Sequence, residues 1–212
     1  MKPIRLIAAL SVLYAFTFGF AVVGAQEGSP RLRVVLIVDS SGTMVSMSNN
    51  FRAGLEAFVD TMPDDAEIAL VSTGGQLRIR VPPDAPRDRL KKAIEGFGPD
   101  GGGNALVETL LEADTRLMKP AKDRRQVYVF MTTDAESKSE LPIDRYNAFM
   151  NDFLNRRGKA YAVVISVGTS MGTPSRILGN LTQNTAGTYK GVTGASGLKD
   201  WMQAIGNTIT GK

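Results

Sequence analysis

The chain has 212 residues, of which 43% are hydrophobic, and it contains neither cysteine nor histidine. Those two absences exclude disulfide bonds, thiol chemistry and histidine-dependent catalysis, and they disfavour zinc and copper sites. Of the 25 basic residues, Lys2 and Arg5 fall in an N-terminal segment, which leaves 23 against 21 acidic residues. The sequence has no stripe of basic and aromatic residues, so we do not expect nucleic-acid binding.

Residues 1–25 have the pattern of an export signal. Two basic residues precede an apolar stretch from Leu6 to Val23, and the small residues Val23-Gly24-Ala25 form a cleavage site before Gln26. The stretch approaches membrane-spanning length, so the less favoured alternative is an uncleaved membrane anchor over residues 4–25. We therefore predict a short linker over residues 26–30, one domain over residues 31–212, and a secreted or periplasmic location.

The first predicted strand is the apolar run from Val34 to Val38, which lacks polar alternation and is typical of a strand buried on both faces. The run ends at Asp39, and the spacing Asp-x-Ser-x-Thr places Asp39, Ser41 and Thr43 on alternate residues of one loop. One carboxylate and two hydroxyls are suited to Mg²⁺, Mn²⁺ or Ca²⁺. The alternative is that these residues only form a turn or cap the next helix.

A strand pair lies between this loop and a glycine-rich stretch, with a helix before it and another after it. The first helix is predicted to begin at Asn50, a strand follows over residues 67–72, and an alternating strand over residues 77–81 indicates an antiparallel edge. Pro86 begins a second, short helix. Gly101-Gly102-Gly103-Asn104 then turns the chain closely, without the lysine of a phosphate-binding loop. A plain loop before the next helix, over residues 105–118, is the alternative for this stretch.

The second half of the chain continues to alternate strands with helices. A buried strand over residues 126–131 ends in Thr132-Thr133-Asp134, and a polar, solvated segment follows over residues 135–140. Further strands are predicted over residues 159–167 and around residues 188–189, with a helix from Thr173 between them. Two other helices have apolar faces that we expect to be buried. These faces contain Ile143, Tyr146, Phe149, Met150, Phe153 and Leu154, and then Leu198, Trp201, Met202, Ile205 and Ile209.

The Asp-x-Ser-x-Thr loop, the glycine-rich loop and the later aspartate together resemble the von Willebrand factor type A (VWA) family, over about residues 31–209. The resemblance implies a metal-ion-dependent adhesion site (MIDAS), with the metal ligands Asp39, Ser41, Thr43 and Asp134. The family's loop threonine falls at Asn104, whose amide oxygen can also bind a hard cation but sits on a longer side chain. Ala135 stands where the family often has glycine.

The predicted order of elements is β-α-β-β-α-α-β-α-β-α-β-α. This order indicates an α/β fold with a doubly wound, mostly parallel sheet, one antiparallel edge strand and helices on both faces. Right-handed crossovers place the strand that ends at Asp39 beside the strand that ends at Asp134, where the winding direction reverses. We therefore expect the five candidate side chains to surround one crevice, in agreement with the Rossmann-like fold that the VWA resemblance implies.

The resemblance implies a protein-interaction module rather than an enzyme. An Asp or Glu of a protein partner would complete the coordination of Mg²⁺, or of Mn²⁺ or Ca²⁺, and in some family members this moves the last helix. An interaction scaffold that has lost metal dependence through Asn104 is the first alternative. A Mg²⁺-dependent phosphatase is less favoured, because the residue two positions after Asp39 is Ser41, which cannot act as a general acid near neutral pH.

Overall fold

The computed structural model describes residues 30–135, 142–168 and 172–212. The strands in these ranges are β1 (Leu32–Val38), β2 (Glu67–Ser72), β3 (Arg78–Val81), β4 (Arg125–Thr133), β5 (Lys159–Ile165) and β6 (Thr188–Val192). They form one sheet with the order β3-β2-β1-β4-β5-β6, in which β3 is antiparallel to β2 and the other neighbours are parallel. The predicted doubly wound sheet with an antiparallel edge strand is therefore confirmed.

Helices cover both faces of the sheet. They are α1 (Ser48–Thr61), α2 (Arg87–Glu95), α3 (Leu106–Ala113), α4 (Ile143–Asn155), α5 (Thr173–Asn184) and α6 (Leu198–Thr210). One apolar layer contains residues of α1, α2 and α6, and the opposite layer contains residues of α3, α4 and α5. Strands and helices follow one another in the predicted order.

Successive residues of the central strands enter opposite layers, which explains why these strands are apolar throughout. In β1, Leu36 packs in the layer of α1 and α6, whereas Ile37 packs in the layer of α3 and α4. The buried apolar residues run from Leu32 to Ile209. The residues that the structure describes thus contribute to both apolar layers along nearly their whole length.

Two helices differ from the prediction at their ends. The Asp-x-Ser-x-Thr loop continues into a 3₁₀ helix (Gly42–Met47), so α1 starts at Ser48, and Asn50 lies inside it instead of capping it. The helix predicted over residues 105–118 is α3 followed by a π-helix (Asp114–Met118). The π-helix begins at a buried aspartate whose carboxylate binds Arg156, so an ion pair accompanies the change of helix type.

Three apolar side chains expected in buried helix faces are exposed, namely Ile143, Leu154 and Trp201. Ile143 and Leu154 lie in the first and last turns of α4. The Trp201 ring packs against the ammonium group of Lys190, which lies 3.9 Å from the ring centroid. The expectation that Trp201 belongs to the core is wrong, because it lies at the margin of the buried stripe of α6, where a cation–π contact is available to it.

Two predictions concern residues outside the described ranges. They are the export signal or anchor over residues 1–25 and the solvated segment from residue 136 onward. Among the helices that the structure does describe, none is long and apolar enough to cross a membrane.

Candidate metal-binding site

The crevice lies at the carboxyl ends of β1 and β4, which are neighbours in the sheet. Val38 pairs with Met131, and the backbone N–H of Asp39 donates to the Met131 carbonyl at 2.9 Å. Because β2 lies on the other side of β1, the chain winds away from this point in both directions. The predicted placement of the two strand ends side by side is therefore confirmed.

Asp39 has a fully buried carboxylate that is held by neutral donors. Its Oδ1 accepts a hydrogen bond from the backbone N–H of Ser41 at 2.8 Å, which closes a turn within the loop. Its Oδ2 accepts hydrogen bonds from the backbone N–H and the hydroxyl of Thr133, at 3.1 and 2.5 Å. In the described chain these partners carry no positive charge to balance the carboxylate. Sequence reasoning gave Thr133 no function, although its position directly before Asp134 was an available signal.

The Ser41 hydroxyl is buried, and it has no hydrogen-bond partner among the described residues. An unpaired buried hydroxyl costs about 1–3 kcal/mol, so native structures usually supply it with a ligand or a water molecule. Here the hydroxyl belongs to the same loop as the buried carboxylate of Asp39. An unpaired hydroxyl beside a carboxylate without a basic partner has the chemistry of a cation site.

Thr43 lies in the 3₁₀ helix that follows, and its side chain is exposed. The loop that carries it is tied to the glycine-rich loop, because the Gly42 N–H donates to the Gly102 carbonyl at 3.3 Å. The structure thus brings Asp39 and Ser41 together as buried groups and leaves Thr43 accessible to solvent.

The glycine-rich loop carries Asn104 to the crevice. Gly101 and Gly102 have φ angles of 84° and 68°, in the left-handed region that favours glycine. The Ala105 N–H donates to the Thr73 carbonyl at 3.0 Å, which joins the end of the loop to the end of β2. The close turn predicted for this stretch is present.

The side-chain amide of Asn104 is buried and bonded at both ends. Its Nδ2 donates to the Thr132 hydroxyl at 2.8 Å and lies 3.4 Å from Oδ2 of Asp39. Its Oδ1 accepts a hydrogen bond from the Thr73 hydroxyl at 2.8 Å. The amide nitrogen, rather than the oxygen, therefore faces the Asp39 carboxylate.

Asp134 is buried, and its carboxylate caps the N-terminus of α5. Oδ2 accepts a hydrogen bond from the Gly172 N–H at 2.8 Å, and Oδ1 accepts one from the Ser175 N–H at 3.2 Å. A β-carbon on Gly172 would lie 2.6 Å from Oδ1, so only glycine leaves room for the carboxylate there. Because Asp134 follows Thr133, which binds Asp39, the first turn of α5 is connected to the crevice.

Sequence reasoning missed Asp100, which fixes the start of the glycine-rich loop. Its carboxylate accepts hydrogen bonds from Ser72 at 2.9 Å and Arg80 at 2.7 Å, and its N–H donates to the Ser40 carbonyl at 2.7 Å. Burial alone would raise the pKa of Asp100, but hydrogen bonds from Ser40 and Ser72 and the charge of Arg80 outweigh burial and lower it. The signal in the sequence was Arg78 and Arg80, two charges on the same face of an edge strand.

The donors at this crevice suit a hard divalent cation. In the part of the chain that the structure describes, no three acidic, histidine or cysteine side chains form a cluster, so a cation at this crevice would depend on Asp39 and Asp134 for its charge. Ser41 and Thr43 offer hydroxyl oxygens, whereas the amide oxygen of Asn104 is bonded to Thr73. Oxygen donors are those that Mg²⁺, Mn²⁺ and Ca²⁺ prefer. The unpaired hydroxyl of Ser41 is the observation on which this fit depends.

A family model described as von Willebrand factor type A domain matches residues 34–137. No curated protein sequence matches the chain. The family match covers most of β1, the Asp-x-Ser-x-Thr loop, the glycine-rich loop and β4, which together form the crevice.

Solved structures share the fold over 85% of the chain. A von Willebrand factor type A structure from Catenulispora acidiphila has 21% identity and a TM-score of 0.69, and the chain covers 43% of its length. Proximal thread matrix protein 1 from the mussel byssus, with zinc in its MIDAS motif, has 14% identity and a TM-score of 0.67, with 46% of its length covered. The conserved hypothetical protein BatB from Bacteroides thetaiotaomicron has 13% identity and a TM-score of 0.63, with 98% covered.

The chain thus spans less than half the length of the first two structures and nearly all of the third. At these identities the likeness shows the fold and leaves the site to be judged from the residues of this chain. The family match, the sheet order and the shared fold together place the chain in the von Willebrand factor type A domain family.

Proposed function

We propose that this VWA domain binds a protein partner through a divalent cation held by a MIDAS-like site. The ion would be held by Asp39, Ser41, Thr43 and Asp134, and Asn104 would join them once its amide turned over. When bound, the cation would offer a coordination position to an Asp or Glu carboxylate of the partner. VWA domains are in general protein-interaction modules, and the proposal gives that function a chemical basis.

The unpaired hydroxyl of Ser41 is the observation that carries this proposal. Nothing in the local packing requires a serine there, because its hydroxyl forms no hydrogen bond with the described residues. The neighbouring Asp39 carboxylate is buried with neutral partners, and a buried charge without an opposite charge is costly. A cation between these two groups would offset both costs.

The charges around the crevice favour an acidic partner. Asp39 and Asp134 carry two negative charges, which a divalent cation balances, so the loaded site would not repel a further carboxylate strongly. The two hydrogen bonds from Thr133 hold Asp39 in place and reduce the reorganisation that binding requires. Because Thr43 is the exposed member of the set, the partner's carboxylate would approach from its side.

We propose Mg²⁺ as the resident ion, with Mn²⁺ or Ca²⁺ as substitutes, because all candidate ligand atoms are hard oxygens. The mussel byssus protein holds zinc in its MIDAS motif, so zinc belongs among the ions to be tested. The export signal expected in residues 1–25 would place the domain in the periplasm or outside the cell. If residues 4–25 instead stay in the membrane, the domain would be anchored at its surface.

Asn104 favours a second candidate function, an interaction module that needs no metal. Its Nδ2 lies 3.4 Å from Oδ2 of Asp39 and directs positive partial charge toward the carboxylate. With the two donors of Thr133, this amide stabilises Asp39 without a cation. Ser41 still has an unpaired hydroxyl in this candidate, so Ser41 is the residue that distinguishes the two functions.

Thermal unfolding of residues 30–212, in EDTA and then in rising Mg²⁺, Mn²⁺, Ca²⁺ or Zn²⁺, tests the metal-dependent function. A site saturated at a hundredfold its Kd adds about 2.7 kcal/mol, which raises Tm by several degrees. Ser41→Ala removes a proposed ligand and an unpaired buried hydroxyl together. We expect it to abolish the cation-induced shift without lowering Tm in EDTA.

The matched control is Ser46→Ala, which changes an exposed serine of the 3₁₀ helix that follows Ser41 and should keep the full shift. A wild-type domain whose Tm no cation moves would rule out the metal-dependent function and leave the metal-free module. A Ser41→Ala variant that responds to cations like the wild type would remove Ser41 from the site.

A further inference from the structure

The fold gathers basic residues at the end of the sheet opposite the candidate metal site. Arg31, Arg125 and Lys159 stand at the starts of three neighbouring parallel strands, since Leu32 pairs with Arg125 and Val127 pairs with Lys159. Lys122 lies in the loop before β4, and Arg157 lies in the loop before β5. We call these residues, Arg31, Lys122, Arg125, Arg157 and Lys159, the basic end. They come from three separate parts of the chain, near residues 31, 122–125 and 157–159, which the topology brings together.

All five side chains of the basic end are exposed. Other arginines at the same end are used by the fold, because Arg33 and Arg124 bind Glu67, and Arg156 binds Asp114. In contrast, the nearest acidic contact of Arg31 is 3.9 Å long, and its side chain is 54% exposed. The basic end therefore presents positive charge to solvent.

Acidic residues at this end of the sheet offset the charge of Arg31 but lie away from the other four residues. Arg31 donates to the Asp65 carbonyl at 3.3 Å and lies 3.9 Å from Glu67, on the side of β1 away from β4 and β5. Asp123 is bound to Arg124. Positive charge thus remains exposed at the starts of β4 and β5.

The requirements of the helices account for only part of this charge. Basic side chains stabilise helix C-termini, and Lys212, just after α6, is placed in this way and donates to the Thr61 carbonyl at 3.0 Å. Arg125 is used in the same way, because it donates to the Ile209 carbonyl in the last turn of α6 at 2.9 Å, and Arg157 lies just after the C-terminus of α4. Arg31 and Lys159, by contrast, stand at the starts of β1 and β5. The exposed charges at these strand starts therefore point to something outside the domain.

The basic end is also where the chain connects to its apolar N-terminal segment. Pro30 directly precedes Arg31, and residues 26–30 can span at most about 18 Å from the possible anchor segment over residues 4–25. A membrane that held this stretch would lie beside the basic end. The candidate metal site is at the opposite end of β1, which is seven residues or about 23 Å long, and would face away from that membrane.

We propose that the basic end binds the anionic headgroups of a phospholipid surface. Lysine and arginine side chains near such a surface each increase the affinity by about fivefold, and five of them lie on one face here. Leu154, in the last turn of α4, is exposed next to them, since the Arg157 N–H donates to its carbonyl at 2.9 Å. An apolar side chain among basic ones suits the boundary between headgroups and acyl chains.

Nucleic acid is a poorer fit to the same charges. Single-stranded nucleic acid is bound with the help of exposed aromatic side chains on which bases stack. Among the large aromatic side chains of the described chain, the exposed one is Trp201, in the first half of α6. The other end of α6 adjoins the basic end, because Arg125 donates to the Ile209 carbonyl. Trp201 is therefore away from the basic end. We therefore commit to a lipid surface and make nucleic acid an outcome of the test.

Co-sedimentation of residues 26–212, the chain expected after cleavage of the export signal, with vesicles tests the proposal, in EDTA so that the metal site has no part in the result. Vesicles of phosphatidylcholine with phosphatidylglycerol should sediment the domain at low salt and release it at high salt, and vesicles of phosphatidylcholine alone should not sediment it. The triple variant Lys122→Glu, Arg157→Glu and Lys159→Glu should bind at least about a hundredfold more weakly. Arg125 stays unchanged because it binds the Ile209 carbonyl.

The matched control reverses the same number of charges at exposed positions of α2 and α6, with Arg89→Glu, Lys92→Glu and Lys199→Glu. This control should keep at least a tenth of the wild-type affinity for the anionic vesicles. If the triple variant unfolds at a lower temperature than the control, the neutral pair Lys122→Ala and Lys159→Ala should still reduce binding about 25-fold. Equal binding of the variant and the wild type, or equal binding to vesicles with and without phosphatidylglycerol, would overturn the proposal. So would binding to duplex DNA at concentrations where the anionic vesicles bind nothing.

Discussion

Asn104 turns its amide nitrogen toward Asp39, with 3.4 Å between Nδ2 and Oδ2. Its neighbours determine this orientation. Thr132 donates its own hydroxyl proton to the Thr133 carbonyl, so the Thr132 oxygen accepts from the amide, and the Asp39 carboxylate can only accept. The amide oxygen is occupied by the Thr73 hydroxyl. Asn104 thus competes with a cation for Asp39 as long as this network is intact.

Asn104→Thr should strengthen cation binding. The shorter side chain removes the amide nitrogen from the Asp39 carboxylate and supplies a hydroxyl oxygen at the family's usual position. We expect an affinity about tenfold higher, within the range by which groups around metal ligands change metal affinity. The measurement is the cation concentration that gives half of the maximal thermal shift. Asn104→Ala is the control that removes the nitrogen without adding an oxygen, and a Thr variant no better than Ala would contradict the expectation.

Asp134→Ala should destabilise the domain even without metal. The carboxylate accepts hydrogen bonds from the Gly172 and Ser175 N–H groups, so its loss uncaps α5 and costs about 0.5–2 kcal/mol in urea unfolding with EDTA present. Asp144→Ala, which removes an exposed acidic residue from the first turn of α4, should cost less. Equal costs for the two variants would show that the cap contributes nothing. Gly172→Ala should also destabilise, because its β-carbon would lie 2.6 Å from Oδ1 of Asp134.

Asp100→Asn should destabilise the domain in a pH-dependent way. Although burial opposes ionisation, hydrogen bonds from Ser40 and Ser72 and the charge of Arg80 lower the Asp100 pKa in the folded state. A carboxyl group whose pKa is lower in the folded state stabilises the fold at pH values above its pKa in the unfolded state, about 3.9. This stabilisation is lost as the pH falls through the pKa of the folded state. The variant should therefore lose about 1–3 kcal/mol at pH 7, with the difference shrinking below about pH 4.

The free energy of unfolding of the wild type and of Asp100→Asn is measured by urea unfolding from pH 7 to below about pH 4. Asp84→Asn, at an exposed aspartate after β3, is the control and should differ little from the wild type at any pH. A difference between wild type and Asp100→Asn that persists unchanged at low pH would mean that the charge of Asp100 does not contribute.

The doubly wound sheet and the pairing of the two strands at the crevice could be predicted because they depend on local signals. The apolar runs that end at Asp39 and Asp134 mark two buried strands, and handedness then makes them neighbours. The orientation of the Asn104 amide could not be predicted, because it depends on two threonine hydroxyls supplied by β4 and by the end of β2. Periodicity alone also could not separate Trp201 from the buried stripe beside it, since both fall within one helical turn.

A buried ion pair lies on the opposite face of the sheet from α1. Asp114 Oδ1 accepts hydrogen bonds from Arg156 at 2.7 Å and from the Tyr128 hydroxyl at 3.2 Å. Burial raises the Asp114 pKa, and the Arg156 and Tyr128 interactions only partly offset this effect. A carboxylate in such a position depends on its basic partner to remain charged.

Arg156→Met should therefore cost about 3–5 kcal/mol in urea unfolding, because it leaves the Asp114 carboxylate buried without a counter-charge. The double variant Arg156→Met with Asp114→Leu should recover most of that loss, since it replaces both charges with apolar groups of similar size. Arg116→Met is the matched control: it removes an exposed arginine that pairs with Glu112 in the same region, and it should change the free energy of unfolding by less than about 1 kcal/mol. A double variant at least as unstable as Arg156→Met would show that Asp114 stabilises the π-helix through contacts other than the ion pair.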